Sequence, residues 1–410
     1  MIRYYKIILF SLSFLLLSWL TPQLAFYLWA EDDSQPFTVY SSISKSFAMF
    51  MPSINGDIKY TDSKGKLYTD KQFDSILPTL YYRQLQEDGC FPDSLHGIPI
   101  TPSLMEREAF IFRHSPIDIN QKKVALYPLL DSAPQRGEFK MPNNVFRVTH
   151  SGLEFIDIKT NKVKENKSRI FTHELRKEGA NMPIRYISGN LTTEKEYDLG
   201  YFVVDERNQL FQIRQVSEMP EIRKISLPEG LFIRHIFVTE YINRRFYAFI
   251  TDVQNRLYVI QAPNCEVKKV PIGTFAPEED YLVIIGNLFD WSVQKITPSG
   301  VTYYALDSKS HCLIDSMKAT LQPDKIEKIE SYLMPMELSF SSHLSHQIYP
   351  HLKLLGGNYL FLSCILSVIY LIIQLKFKKK KIKSITTKTL FILLGSIPAL
   401  LTIMIFDQDD

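Results

Sequence analysis

Asp205-Glu-Arg-Asn-Gln-Leu210-Phe-Gln-Ile213 and Asp252-Val-Gln-Asn-Arg-Leu257-Tyr-Val-Ile260 share one pattern, a polar turn followed by alternating strand residues. Thr297-Pro-Ser-Gly-Val301-Thr-Tyr-Tyr-Ala-Leu306 is a third copy. Leu210 and Leu257 are 47 residues apart, and Leu257 and Val301 are 44 apart. Four-stranded propeller blades repeat every 40–50 residues or so. His150-Ser-Gly-Leu153 and Asp62-Ser-Lys-Gly65-Lys-Leu67 offer a fourth and a fifth candidate. In each, Gly or Asn supplies the backbone freedom that a tight hairpin turn needs. Tyr201–Val204, Phe246–Thr251 and Tyr281–Ile285 are dense in aromatic and β-branched residues, which favour strands. The fold class expected is mainly β, either propeller-like or an antiparallel β-rich domain such as a sandwich or open sheet, over residues 143–330.

Working outward, residues 34–142 read as a small mixed α/β and extended segment. Thr69 to Gln72 has capping-box spacing, and Phe73, Leu77, Leu80, Tyr81 and Leu85 follow at helical intervals. Pro78 predicts a kink or break, and Gly89 a C-terminal cap. Beyond Gly89 the prolines thicken, which points to extended loops wrapping the next domain.

Three apolar runs flank this soluble text. Residues 7–30, 354–375 and 389–406 approach the roughly 20 residues that a helix needs to cross a bilayer. Between the last two sit Lys376, Lys378, Lys379, Lys380, Lys381, Lys383 and Lys388, with no acidic residue among them. Lysine-rich short loops stay cytoplasmic. The expected path puts 1–6 inside, 7–30 across as an uncleaved signal anchor, and about 320 residues outside. A juxtamembrane segment, 331–353, leads back to the membrane; loop 376–388 is inside and tail 407–410 is periplasmic. Arg3 and Lys6 before the first run, and Glu31, Asp32 and Asp33 after it, agree with that direction. A cleaved signal peptide is the competing reading of 7–30. The formal charge of +3 is smaller than the loop's seven lysines, so the rest of the chain is net acidic. That argues against a nucleic-acid surface and for contact between the loop and the lipid bilayer. Ser363, Cys364 and Ser367, and Gly395, Ser396 and Ala399, supply small residues for helix packing.

The chemistry-bearing residues are sparse. His343, His346 and His351 are the metal candidates, since a His-x-x-His pair on a helix shares one face; ordinary polar residues are the plainer reading. His114-Ser115-Pro116 and His150 lack any nucleophile-elbow spacing. Glu278, Glu279 and Asp280 read as a solvated loop, and Arg83 and Arg113 as structural ion pairs. Cys90, Cys265 and Cys312 permit one disulfide with no pair favoured, and Cys364 lies in the second span. No dinucleotide or Walker fingerprint occurs, and no cofactor is expected.

Several strings together resemble a known family. They are Tyr60-Thr-Asp-Ser-Lys-Gly65 with Phe73-Asp-Ser-Ile-Leu77-Pro78 and Tyr81-Tyr-Arg-Gln-Leu85; Phe112-Arg-His-Ser-Pro116 with Leu126-Tyr-Pro-Leu-Leu130; and Phe237-Val-Thr-Glu240 with Gly286-Asn-Leu-Phe-Asp-Trp291. The chain resembles DUF4857, a family of bacterial membrane proteins defined by a domain of unknown function, over about 40–310. The resemblance implies a Gram-negative envelope and proximity to transporter ATPase genes; it transfers no catalytic residue. The function expected is a non-catalytic inner-membrane accessory subunit of an ABC-type transporter, whose partners are a transporter ATPase and permease. A periplasmic ligand- or peptide-binding sensor is the alternative, and a membrane-anchored enzyme the third.

Overall fold

The computed structural model describes residues 2–29, 36–52, 58–134, 137–319, 325–340, 344, 348–377 and 382–406. They form two units. One gathers helix α1 (Ile2–Trp29) with the residues after 324; the other holds residues 36–51 and 58–319.

The β unit opens with a four-stranded antiparallel meander, β1 (Phe37–Ser41), β2 (Ser46–Pro52), β3 (Ile58–Asp62) and β4 (Leu67–Tyr68). Helix α2 (Asp70–Ile76) starts at Thr69 with the expected capping box. It stops before Pro78, because the residue preceding a proline is driven out of helical geometry. Helix α3 (Tyr82–Glu87) resumes beyond it, and Gly89 follows with φ +66. The proline-rich stretch is more ordered than extended loops. It holds the hairpin β5 (Ser94–Leu95) and β6 (Ile98–Pro99), helix α4 (Pro102–Glu108), strand β7 (Phe110–His114) and helix α5 (Pro116–Asn120).

Strands β8 (Tyr127–Pro128), β9 (Asn144–Thr149) and β10 (Gly152–Asp157) form a three-stranded sheet, followed by helix α6 (Glu165–Lys177). Two four-stranded meanders come next: β11 (Ile184–Gly189), β12 (Tyr201–Asp205), β13 (Leu210–Val216), β14 (Met219–Ile225); then β15 (Ile233–Val238), β16 (Phe246–Asp252), β17 (Arg256–Gln261), β18 (Glu266–Thr274). The last sheet is β19 (Tyr281–Gly286), β20 (Asp290–Thr297), β21 (Gly300–Asp307) and β22 (Leu313–Ala319). Strand β7 joins it as a fifth member, pairing antiparallel with β19 from Leu282–His114 to Gly286–Phe110. The expected boundary near residue 143 is therefore absent: the earlier segment contributes a sheet of its own and an edge strand to the last one.

Alternate residues of one strand feed different cores. Tyr201 and Val203 pack with Phe146, Phe155 and α6, while Phe202 and Val204 pack with Ile236, Ala248 and Ile250 of the next sheet. Tyr258 and Ile260 share that second core; Leu257 and Val259 turn to Phe112, Leu282 and Trp291 of the last sheet. Period-two side chains between two covered faces explain why these strands read as nearly continuous apolar runs. Sheets stacked face on face in succession make the fold mainly β and propeller-like, in place of a two-sheet sandwich. No closed barrel forms among the described residues.

The five sequence copies separate into two turn chemistries. In three, a buried aspartate ends a strand and its Oδ1 accepts main-chain N–H groups from the turn. Asp62 accepts from Lys64 and Lys66, Asp205 from Gln209, and Asp252 from Gln254 and Arg256. Three residues on, Gly65, Asn208 and Asn255 take positive φ. In the other two, a threonine hydroxyl donates to the glycine carbonyl three residues later, Thr149 to Gly152 at 3.0 Å and Thr297 to Gly300 at 3.1 Å. Asp252 is fully buried, and its Oδ2 also accepts from Arg256 Nε (2.6 Å) and Tyr258 OH (3.2 Å). Asp252→Ala orphans these donors, and an orphaned buried donor costs about 1–3 kcal/mol. A clear fall in the midpoint of thermal unfolding is expected; an unchanged midpoint would show that the turn does not need the carboxylate.

The other unit holds the three apolar helices. Spans of membrane-crossing length and hydropathy run Tyr4–Leu28, Tyr359–Lys376 and Ile385–Phe406. Between α1 and the second span lie helix α7 (Lys325–Leu333) and the hairpin β23 (Met336–Ser339) and β24 (His351–Leu354). This hairpin occupies the juxtamembrane segment expected from the sequence and runs one residue past it. Leu354 pairs in it, so helix α8 (Tyr359–Ile372) begins after Gly356 and Gly357. Helix α9 (Ile382–Phe406) is interrupted at Ser396, two residues before Pro398. Ser363, Ser396 and Ala399 are fully buried, Ser367 nearly so, and Cys364 is exposed. A Cβ on Gly395 would stand 3.2 Å from Phe14, so α1 meets α9 where the side chain is smallest.

Candidate functional site: a histidine–carboxylate cluster between β7, β15 and the β18–β19 loop

The strings Phe112-Arg-His114 and Phe237-Val-Thr-Glu240 lie far apart in sequence but meet in space. Phe237 contacts Phe112 and His114, with ring centroids 5.8 and 4.9 Å apart. His114 is buried and its Nε2 hydrogen-bonds the Pro277 carbonyl at 2.7 Å. Burial holds this imidazole below its ordinary pKa, partly offset by that carbonyl, so it is neutral near pH 7. One residue along, Glu278 Oε1 accepts from His235 Nε2 at 2.7 Å and pairs with Arg234 at 2.8 Å. Burial works to raise the Glu278 carboxyl, but the His235 hydrogen bond and the nearby cations hold it below its usual range. Asn120 Nδ2 donates to the Glu278 carbonyl, and the Tyr186 ring stands 6.1 Å from His235. Chemically this is a latch. The Glu278 carboxylate ties its loop to Arg234 and His235 of β15, while His114 of β7 holds the same loop at Pro277, and no serine or cysteine hydroxyl or thiol is bonded to either imidazole among the described residues.

A second polar cluster is more deeply buried. Lys195 Nζ contacts Asp198 Oδ1 at 2.6 Å, Glu240 Oε2 at 2.9 Å and the Asn190 carbonyl at 2.9 Å. All three charged side chains are at most 3% exposed. Glu240 also accepts from Leu199 N (2.7 Å) and Asn190 Nδ2 (2.8 Å), and Asp198 from Ser132. Burial drives the Glu240 carboxyl upward despite its donors. The cluster pins the long β11–β12 connection to the end of β15.

The string Gly286-Asn-Leu-Phe-Asp-Trp291 is the β19–β20 turn. Asn287 Oδ1 accepts from Phe289 N and Asp290 N, and its Nδ2 donates to Asp290 Oδ1 at 3.1 Å. A Cβ on Gly286 would fall 2.0 Å from the Phe110 ring, so only glycine lets β7 lie alongside.

The family model described as a domain of unknown function, DUF4857, matches residues 37–306. The chain belongs to the DUF4857 family. The match covers the β unit almost to its end, so all three polar clusters lie within the DUF4857 span, while the apolar helices lie outside it. No curated protein matches the chain. Among solved structures, PorZ of Porphyromonas gingivalis is described as an essential surface component of the type-IX secretion system. It is 12% identical over 73% of this chain and 33% of its own, with TM-score 0.23. The WD40 domain of SCAP from fission yeast is 9% identical over 67% of this chain and 52% of its own, with TM-score 0.24. The β-propeller domain of Cps50 (Swd1) from Myceliophteria thermophila is 8% identical over 70% and 88%, with TM-score 0.22. This DUF4857 chain thus spans about a third of the first and half of the second. Likenesses so loose say nothing of function.

Of the residues marked in the sequence, His114 and Glu278 come together; His150 does not join them. Glu278 and Asp280 are engaged, not solvated: Asp280 is buried and its Oδ2 accepts from Ala276 N. Arg83 makes the expected ion pair, with Glu106 at 2.6 Å, though on the surface and not buried; Arg113 is exposed on β7. His343 and His346 lie outside the described residues; His351 opens β24, its ring tilted against that of Tyr349 with centroids 4.1 Å apart. Among the described residues no group of three His, Cys, Asp or Glu could hold a metal ion. All four cysteines are free thiols, with no disulfide between them. Lys376 is exposed; Lys378, Lys379, Lys380 and Lys381 lie outside the described residues, and Lys383 and Lys388 fall in the first turns of α9. Lys195, His235 and Glu240 carry no sequence signal as a group, because nothing in their spacing links them.

Proposed function

We propose that this DUF4857 protein is a non-catalytic accessory subunit of a transporter complex in the bacterial cytoplasmic membrane. Its β unit stands on the periplasmic side, where it binds or gates a partner made of a permease and an ATPase. The lysine-rich connection between α8 and α9 supports this sidedness, since such short loops remain cytoplasmic. The observation that carries the reading is the way the charged groups are tied to one another. Glu278 is held by His235 and Arg234, and Lys195 by Asp198 and Glu240. Groups arranged this way fix loops, and fixed loops make a recognition surface. Meanwhile the small polar residues of the helices are used in the chain's own packing, which leaves apolar faces such as Phe361, Ile365 and Val368 outward for lipid or partner helices.

Purification of the tagged full-length protein from native membranes in mild detergent, with mass spectrometry of the co-purifying proteins, tests this. Recovery of an ATPase together with a multispanning permease is expected. A lone polypeptide, under conditions that keep known transporter complexes whole, would contradict it.

A further inference from the structure

A cleft on the β unit, remote from the histidine–carboxylate cluster, has the form of a small anion site. Its wall is the face of the β13–β14 hairpin that turns toward the next sheet, the face Leu210 shares. Cross-strand register sets Gln212 opposite Arg223 and Arg214 opposite Glu221, so all four side chains share one face. A cavity of about 110 Å³ is lined by these residues with Leu199 and Tyr247. A second groove of about 360 Å³ adjoins it and shares Arg223; its lining is mixed, with apolar Leu227, Pro228 and Val267 and polar Lys224, Asn264 and Glu266.

Arg223 is held from behind. Gln212 Nε2 donates to the Leu199 carbonyl at 2.9 Å, which turns Gln212 Oε1 toward the guanidinium, 3.2 Å away. The guanidinium also donates to Cys265 Sγ and to the Pro263 carbonyl, and it lies over the Tyr247 ring, 5.8 Å from its centroid. Every acceptor is neutral, and Arg223 forms no ion pair among the described residues. Arg214 pairs with Glu221 at 3.5 Å, and its buried Nε has no hydrogen-bond partner. Two guanidinium groups against one carboxylate leave the cavity with a net positive charge. Beyond these bonds Arg223 keeps its Nε–H and one Nη1–H, and Arg214 keeps its Nε–H, so a small oxyanion held here is shared between the two guanidinium groups.

We propose that this cleft binds a small organic carboxylate, its head on Arg223 and Arg214 and the rest of the molecule toward the adjoining groove of mixed character. The assignment is independent of the transporter reading, since it concerns a different surface.

The test is isothermal titration of the full-length protein in detergent with succinate and butyrate, each against sodium chloride of equal ionic strength. Saturable binding is expected for at least one of the two, with tenfold or greater loss in Arg223→Gln. Glu221→Gln removes the competing carboxylate from an exposed position and is expected to tighten binding several-fold, so the proposal stays testable if Arg223→Gln folds poorly. It is overturned if neither acid binds above the chloride control, if inorganic phosphate binds in their place, or if Glu221→Gln leaves the affinity unchanged.

Discussion

Lys195→Met is expected to destabilise the β unit by about 3–5 kcal/mol, the usual effect of removing one partner from a buried charge pair. The ammonium stands within 3.0 Å of both Asp198 and Glu240, and neither carboxylate can turn to water, since each side chain is 3% exposed or less. Removing it leaves two like charges side by side in a low-dielectric site. The midpoint of thermal unfolding of the purified protein should fall by roughly 6–20 °C, taking about 2–4 °C per kcal/mol for a domain of this size. The loss should be smaller at pH 5 than at pH 8. Burial already pushes the Glu240 carboxyl upward, and without Lys195 it takes up a proton more readily and neutralises itself. A second replacement, Glu240→Gln, should recover part of the loss. A single variant as stable as the parent at both pH values would mean that the triad does not hold the β11–β12 connection.

Asp290→Asn is expected to act in the opposite direction. Asp290 is 3% exposed, and burial pushes its carboxyl up to about 7, against an ordinary 3.8, with Asp307 adding to the rise and the Asn287 amide opposing it. A group whose folded pKa is raised contributes its stability in full below the unfolded pKa and loses it as pH rises through the folded one. The parent protein should therefore lose roughly 4 kcal/mol between about pH 4 and pH 8 from this residue alone. Asparagine cannot ionise, and its Oδ1 can still accept from Asn287. The variant should match the parent near pH 4 and exceed it at pH 8, as read by denaturant unfolding at each pH. Parallel pH profiles for the two proteins would contradict the assignment.

Much of this fold is legible in the sequence because its strands are short and punctuated. Asp205 and Asp252, each three residues before an asparagine, mark two turns whose chemistry the structure repeats at Asp62. Period-two alternation between two covered faces makes β12, β16 and β17 visible as apolar runs. Strand β7 is hidden because its partner β19 lies about 170 residues away, and no local pattern encodes such a pairing. The Thr149 and Thr297 turns look like further copies of the aspartate turn; only side-chain geometry separates them. The candidate site is half visible. His114 and Glu278 stand out as isolated polar residues, one in an incomplete nucleophile pattern and the other in an acidic run that resembles a solvated loop. Their partners Phe237 and His235 look like ordinary strand residues, since contacts between sheets leave no spacing rule in sequence. Lys195 and Glu240 are invisible for the same reason.

Sidedness is the point on which the functional account stands, and cysteine accessibility measures it directly. Cys90 and Cys312 are exposed on the β unit and Cys265 is buried. In spheroplasts treated with a membrane-impermeant maleimide, Cys90 and Cys312 should label without lysis. A Ser384→Cys residue, placed among the loop lysines in a background lacking the other cysteines, should label only after lysis. The reverse pattern, with the loop reactive from outside and the β unit protected until the membrane is opened, would contradict the account.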